Sequence, residues 1–144
     1  MKRLRLFLDS NVIISGLFFS GPESALLKQH ELDFITSDVN YNEILDVVKR
    51  KFKSLNISVL KYALEKIDEA FIDIDIVYER DWKTTLDIAA KYLKGNDQKI
   101  LAAGLYAKPD YFVTGDRDFH RNEIKNLVNT INTRMLMKKL KILE

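Results

Sequence analysis

The chain has 144 residues, a length suited to one domain with an apolar core of its own. Hydrophobic residues make up 47% and charged residues 31%, the balance of an ordinary soluble globular protein. Cysteine is absent, which excludes a disulfide framework, a cysteine-based zinc cage and a thiol nucleophile, and a net charge of +2 means that the chain as a whole is not strongly basic.

Residues 4–8 are a short apolar run that stops at Asp9-Ser10-Asn11, the pattern of a buried strand ending in a polar turn. The run contains Arg5 and is too short for the apolar region of a signal peptide. No stretch approaches the ~18 apolar residues of a membrane span. An intracellular, cytoplasmic protein without a membrane partner is expected. Residues 12–19 are apolar and end at the loop signal Ser20-Gly21-Pro22; residues 22–29 read as a short helix with Pro22 in its first turn. Residues 34–36 form a second strand, and Ser37-Asp38 a helix start. The spacing of Tyr41, Ile44, Leu45, Val48 and Phe52 predicts a helix over 38–52, and that of Leu60, Leu64, Ile67 and Phe71 another over 57–71. Residues 73–77 alternate and are rich in isoleucine, so a third strand follows. A helix over 80–93, with Trp82, Leu86, Ala89, Ala90 and Leu93 on its inner side, is broken by Lys94-Gly95-Asn96. Residues 97–107 form a small-residue helix expected to be buried, and Lys108-Pro109-Asp110 leads to a strand at 111–114. A last strand at 128–131 and a last helix at 133–140 complete the chain. This alternation predicts a three-layer αβα sandwich of the α/β class with a central parallel sheet, in one domain spanning residues 1–144 with no internal repeat or linker.

In open parallel sheets, ligands bind beyond the carboxyl ends of the strands. Asp9 follows the first strand and Asp116 follows the strand at 111–114, in the turn Thr114-Gly115-Asp116-Arg117-Asp118-Phe119, so both stand at one edge. Glu43 lies in the early turns of the helix entered from the second strand, beside Val39 and Val47 on the wheel and so on a rim. Asp97 opens the buried helix, in line with Ile100, Leu101 and Gly104, where a small residue permits close backbone approach. Each acid alone has an ordinary structural role: Asp9 and Asn11 as strand terminators or helix caps, Asp97 as a first-turn acid, Glu43 as an exposed helix residue, Asp116 and Asp118 as turn residues. Four acids converging on one edge repel one another, however, and such a cluster calls for a cation. Hard oxygen ligands favour Mg²⁺ or Mn²⁺.

These segments resemble the motifs of PIN-domain nucleases, and among them the VapC-like toxins of toxin–antitoxin pairs. The resemblance covers nearly the whole chain. It is carried by Leu6-Phe7-Leu8-Asp9-Ser10-Asn11-Val12, by Ser37-Asp38-Val39-Asn40-Tyr41-Asn42-Glu43, by Gly95-Asn96-Asp97-Gln98-Lys99-Ile100-Leu101 and most specifically by Val113-Thr114-Gly115-Asp116-Arg117-Asp118-Phe119. The spacer Ser20-Gly21-Pro22 with Leu26-Leu27 is similar to a bacterial and archaeal subgroup of these toxins. The resemblance implies a parallel αβα sandwich, often a homodimer, with Mg²⁺- or Mn²⁺-dependent cleavage of RNA. It also implies catalytic and metal-binding roles for Asp9, Glu43, Asp97 and Asp116, polar support from Asn11 and Thr114, and an accessory acid at Asp118. Gly104 stands where alanine is more usual. A toxin would be held by a small antitoxin protein.

On this reading the carboxylates hold one or two divalent ions, about 3.5–4 Å apart if two are present, and no side-chain nucleophile is required. Arg117 and Arg121, next to Asp116, are the best placed to meet RNA phosphates, followed by Lys49, Arg50 and Lys94. Tyr41 and Phe119 lie near the motifs, with core packing the favoured role for both. Leu17-Phe18-Phe19 is favoured as core cover over a partner seat. His30 and His120 can act as a histidine pair only if they meet. Competing readings fit less well. A phosphotransfer receiver wants an acceptor Asp after a central mid-chain strand, where Tyr78-Glu79-Arg80-Asp81 stands. A haloacid-dehalogenase phosphatase wants a second Asp where Asn11 stands, and a dinucleotide-binding module wants a glycine-rich turn. A non-enzymatic binding domain, or a PIN-type nuclease in housekeeping RNA processing, stays open at this point.

Overall fold

The central strand β1 (Arg5–Leu8) is buried on both faces because its side chains alternate between two apolar layers. Leu6 and Leu8 enter one layer, and Phe7 enters the other. The computed structural model describes residues 2–142. It continues through α1 (Ser10–Phe18), α2 (Pro22–Leu27), β2 (Asp33–Ser37), α3 (Asp38–Phe52), α4 (Ile57–Ala70) and β3 (Ile74–Val77). There follow α5 (Glu79–Trp82), α6 (Leu86–Ala89), α7 (Gly95–Ala107), β4 (Tyr111–Val113), α8 (Asn122–Lys125), β5 (Thr130–Ile131) and α9 (Thr133–Leu140).

The five strands form one sheet in the order β3-β2-β1-β4-β5, every pair parallel. Leu6 pairs with Phe34 on one side and Tyr111 on the other, and Leu8 pairs with Val113. The chain winds outward from β1 to β3 and then returns to the other side of β1 as β4, so the strand order reverses between β1 and β4. One layer packs Val12, Ile13, Ile44, Val48, Ile67 and Leu136 against the sheet; the other packs Trp82, Leu101, Ala102, Phe119 and Ile124. This is the expected three-layer αβα sandwich around a parallel sheet. No helix among the described residues is long and apolar enough to cross a membrane.

Three local readings are corrected. Asp9-Ser10-Asn11 is not a turn but the start of α1: the Asp9 carboxylate accepts from the Ser10 amide at 2.8 Å, and its carbonyl accepts from Val12 and Ile13. The predicted helix over 80–93 breaks into α5, a 3₁₀ turn at Lys83–Thr85 and α6. Thr84 Oγ1 donates to the carbonyl of Asp81, and Thr85 Oγ1 donates to the carbonyl of Ala102 at 2.6 Å, with that of Trp82 as the longer alternative at 3.1 Å, so the two hydroxyls offer the backbone alternatives to the helical ladder. The last strand is shorter than predicted, Thr130–Ile131, paired to Phe112 and Val113.

Candidate active site

The carboxyl edge of the sheet, where the strand order reverses, is where an open α/β fold leaves room for a ligand. Asp9 ends β1 and donates its amide to the Val113 carbonyl at 3.0 Å, which fastens it to the end of β4. A cleft of about 260 Å³ opens there. Asp9, Ser10, Asn11, Glu43, Asp97 and Asp116 line it. The four acids singled out in the sequence are thus brought to one place from four separate elements.

The Asp9 carboxylate is buried and well supported. Its Oδ1 accepts from the Ser10 amide at 2.8 Å and from Asn40 Nδ2 at 3.2 Å, and its Oδ2 accepts from Thr114 Oγ1 at 2.6 Å. Burial pushes its pKa up; the Thr114 and Ser10 hydrogen bonds pull the other way, and the negative charges of Glu43 and Asp116 add to the rise. Asp97 is half-buried in the first turn of α7. Its carboxyl is pushed up to about 6, first by burial and then by the charges of Asp116, Asp9, Glu43 and Asp118. Asp116 accepts from the Asp118 amide at 2.9 Å and so caps a 3₁₀ turn, Arg117–His120. This turn brings the exposed Asp118 carboxylate over the cleft mouth: Asp97, Asp116 and Asp118 each offer an oxygen, all within 4.8 Å of one another.

The supporting residues are distributed differently from the sequence expectation. Thr114 bridges Asp9 and the Asp116 amide. Asn11 lines the cleft as an exposed residue, while the hydrogen bonds to Glu43 and Asp9 come from Ser10 and Asn40. Of the basic candidates, Arg50 lines the cleft. Lys49, Arg117 and Lys94 are exposed and do not line it, and Arg121 is tied to the carbonyls of Tyr92 and Asp118 and to Glu123. Asp46 and Val47 also line the cleft. The wheel could have shown this, because Glu43, Asp46, Val47 and Arg50 follow helical spacing along one stripe of α3.

Phe119 is fully buried and stacks on Phe112 at 5.1 Å, and Tyr41 packs edge-on against Phe71 at 4.8 Å; both rings serve the core. Leu17 and Phe18 pack on the core, whereas Phe19 is exposed. The histidines lie at opposite edges of the sheet. His120 Nε2 bonds the Thr114 carbonyl at 2.7 Å, while His30 lines a cavity of about 600 Å³ beside Arg3, Asp33 and Ile74, at the amino ends of the strands. A histidine-pair mechanism is thereby removed.

A family model for the PIN domain matches residues 6–125. No curated protein matches the sequence. Among solved structures, the chain is similar to a chain in the crystal structure of VapBC2 from Rickettsia felis bound to a DNA fragment from their promoter. The TM-score is 0.59 at 15% identity, with 90% of this chain and 98% of that chain covered. At that identity the likeness is one of fold.

Proposed function

The chain belongs to the PIN domain family, and on that premise we propose that it is a divalent-metal-dependent endoribonuclease acting as the toxin of a toxin–antitoxin pair. The observation that carries the chemistry is the meeting of Asp9, Glu43, Asp97 and Asp116 in one cleft, with Asp118 at its mouth. The donor set fits a hard cation: it is all carboxylate, and Asp97, pushed up first by burial and then by the neighbouring acids, is a group whose charged form a bound cation would favour.

Asp9, Glu43, Asp97 and Asp116 would hold Mg²⁺ or Mn²⁺, with Asp118 as an accessory acid whose carboxylate reaches within 4.8 Å of those of Asp97 and Asp116. When bound, the ion supplies Lewis acidity, lowering the pKa of water and offsetting charge on the scissile phosphate. The chain's own residues do the rest. Thr114, Ser10 and Asn40 hold Asp9 and Glu43 in place, and the cleft narrows the approach of the substrate to one edge of the sheet. Arg50 offers a cation at the cleft wall for a flanking phosphate, with Arg117 exposed nearby. The motif resemblance implies single-stranded or structured RNA as the substrate.

The toxin assignment draws on the motif resemblance and on the fold shared with a chain of VapBC2. Its natural partner would then be a small antitoxin, and the toxin itself a homodimer. The test has two arms. Purified protein with Mn²⁺ is expected to cleave RNA, and Asp97→Asn to be folded and inactive; full activity of that variant, or of wild type in excess EDTA, overturns the metal-nuclease reading. Induced expression in bacteria is expected to arrest growth with wild type and not with Asp97→Asn. Normal growth with an enzyme that cleaves RNA in vitro points instead to housekeeping RNA processing.

A further inference from the structure

Glu43 and Asp9 stand in the cleft on different elements, α3 and the end of β1, and like charges so placed tend to turn apart. The structure holds them through a chain of hydrogen bonds that starts in the core. Ser37, fully buried, accepts the Asn40 amide at 3.0 Å and donates its hydroxyl to Asn40 Oδ1 at 2.5 Å. Asn40, also fully buried, donates from Nδ2 to Asp9 Oδ1 at 3.2 Å and to Ser10 Oγ at 2.9 Å. Ser10 Oγ donates to Glu43 Oε1 at 2.7 Å.

The donors and acceptors along this chain run in one consistent direction. Ser37 already accepts one bond, so its own hydrogen goes to Oδ1 of the Asn40 amide. That orients both Nδ2 hydrogens toward Asp9 and Ser10; the flipped amide would set its oxygen against the Asp9 carboxylate. Ser10 Oγ, having accepted from Nδ2, turns its single hydrogen to Glu43 Oε1 at 2.7 Å rather than to the Asn40 carbonyl at 3.5 Å. All side-chain polar atoms of Asn40 are thereby matched, as burial requires, and both ends of the chain terminate on carboxylates of the site.

Building on the metal-nuclease reading, we propose that Asn40 is a positioning residue that presets the Asp9–Glu43 pair for cation binding, acting on Glu43 through Ser10. A side chain that orients ligand carboxylates without touching the metal typically changes its affinity by about 10–100-fold when removed. A residue serving only to fill the core would change stability and leave metal affinity alone.

The experiment is calorimetric titration of Mn²⁺ into wild type, Asn40→Ala and Ser10→Ala, with melting curves without metal and kcat and KM for a single-stranded RNA. Asn40→Ala is expected to bind Mn²⁺ about tenfold or more weakly, with kcat falling at limiting Mn²⁺ and KM for RNA unchanged. Ser10→Ala, which frees Glu43 but keeps the Asn40–Asp9 bond, is expected to show a smaller loss in the same direction. Folded Asn40→Ala with wild-type Mn²⁺ affinity overturns the proposal. If Asn40→Ala does not fold, Ser10→Ala decides: weaker Mn²⁺ binding supports the relay, and unchanged binding overturns it. Failure of wild type itself to take up Mn²⁺ is a distinct result, which overturns the metal-nuclease reading and this inference with it.

Discussion

Thr114 Oγ1 donates a 2.6 Å hydrogen bond to Oδ2 of Asp9 and accepts the Asp116 amide at 3.0 Å, so one buried hydroxyl joins the acid after β1 to the acid after β4. It works in both directions: it supplies a donor to a carboxylate that burial disfavours, and it anchors the turn carrying Asp116 and Asp118.

Thr114→Val keeps the shape and removes the hydroxyl. It leaves the Asp9 carboxylate short of a donor and the Asp116 amide without its acceptor. A loss of about 1.5–3 kcal/mol is expected, the range for hydrogen bonds to charged groups, read as a lower urea midpoint at unchanged slope. Thr114→Ser is expected to recover most of it.

Asp97 supplies a pH dependence. Its carboxyl is raised from the ordinary 3.8 to about 6 in the folded chain, so the folded state binds a proton more readily than the unfolded state between those values. Without metal, stability is then greatest at low pH within this group's contribution, declines as pH rises from about 4 toward 6, and stays lower above. Asp97→Asn is expected to flatten that decline and to raise the Tm of the metal-free protein at pH 7. Because the proton competes with a cation for the same carboxylate, Mn²⁺ affinity is expected to weaken as pH falls below 6. Calorimetry between pH 5 and 7.5 checks this; pH-independent affinity removes Asp97 from the metal site.

Much of this arrangement was legible in the sequence, for a physical reason. Strand ends are marked where an apolar run meets a polar residue, as at Leu8-Asp9 and Val113-Thr114, and a parallel sheet collects those ends at one edge. The wheel of α3 likewise put Glu43 on a rim. What stayed hidden depends on contacts distant in sequence. Asn40 is one polar residue among several in the first turns of α3, and only the packing of that helix against the end of β1 buries it beside Asp9. The break within 80–93 has no periodic signature, because Thr85 bonds the Ala102 carbonyl of another helix.

Arg50 and Lys49 are adjacent in sequence but unequal in place, since Arg50 lines the cleft and Lys49 does not. Arg50→Ala is expected to raise KM for RNA by roughly fivefold, a contact of about 1 kcal/mol, and to lessen the salt dependence of KM, with kcat little changed. Lys49→Ala is expected to do neither. Equal effects from both would assign the basic run a diffuse steering role.

Gly104 of α7 lies against the Phe112 ring of β4. A Cβ added there would lie 2.6 Å from Phe112 Cε2 and 2.7 Å from Cδ2, closer than packed carbons approach. Phe112 is fully buried and stacks on Phe7 at 4.8 Å and on Phe119 at 5.1 Å, so its ring has little freedom to give way. Gly104→Ala is therefore expected to destabilise the fold by about 1–3 kcal/mol despite its better helix propensity, the range for overpacking a filled core. The strain would also reach the site, because Phe119 lies in the 3₁₀ turn that follows Asp116 and holds Asp118. Pairing Gly104→Ala with Phe112→Leu separates the two effects. If the clash is with the ring, the double variant is more stable than the sum of the single changes implies, and Mn²⁺ affinity recovers with it. Additive losses would place the cost of Gly104→Ala elsewhere in α7.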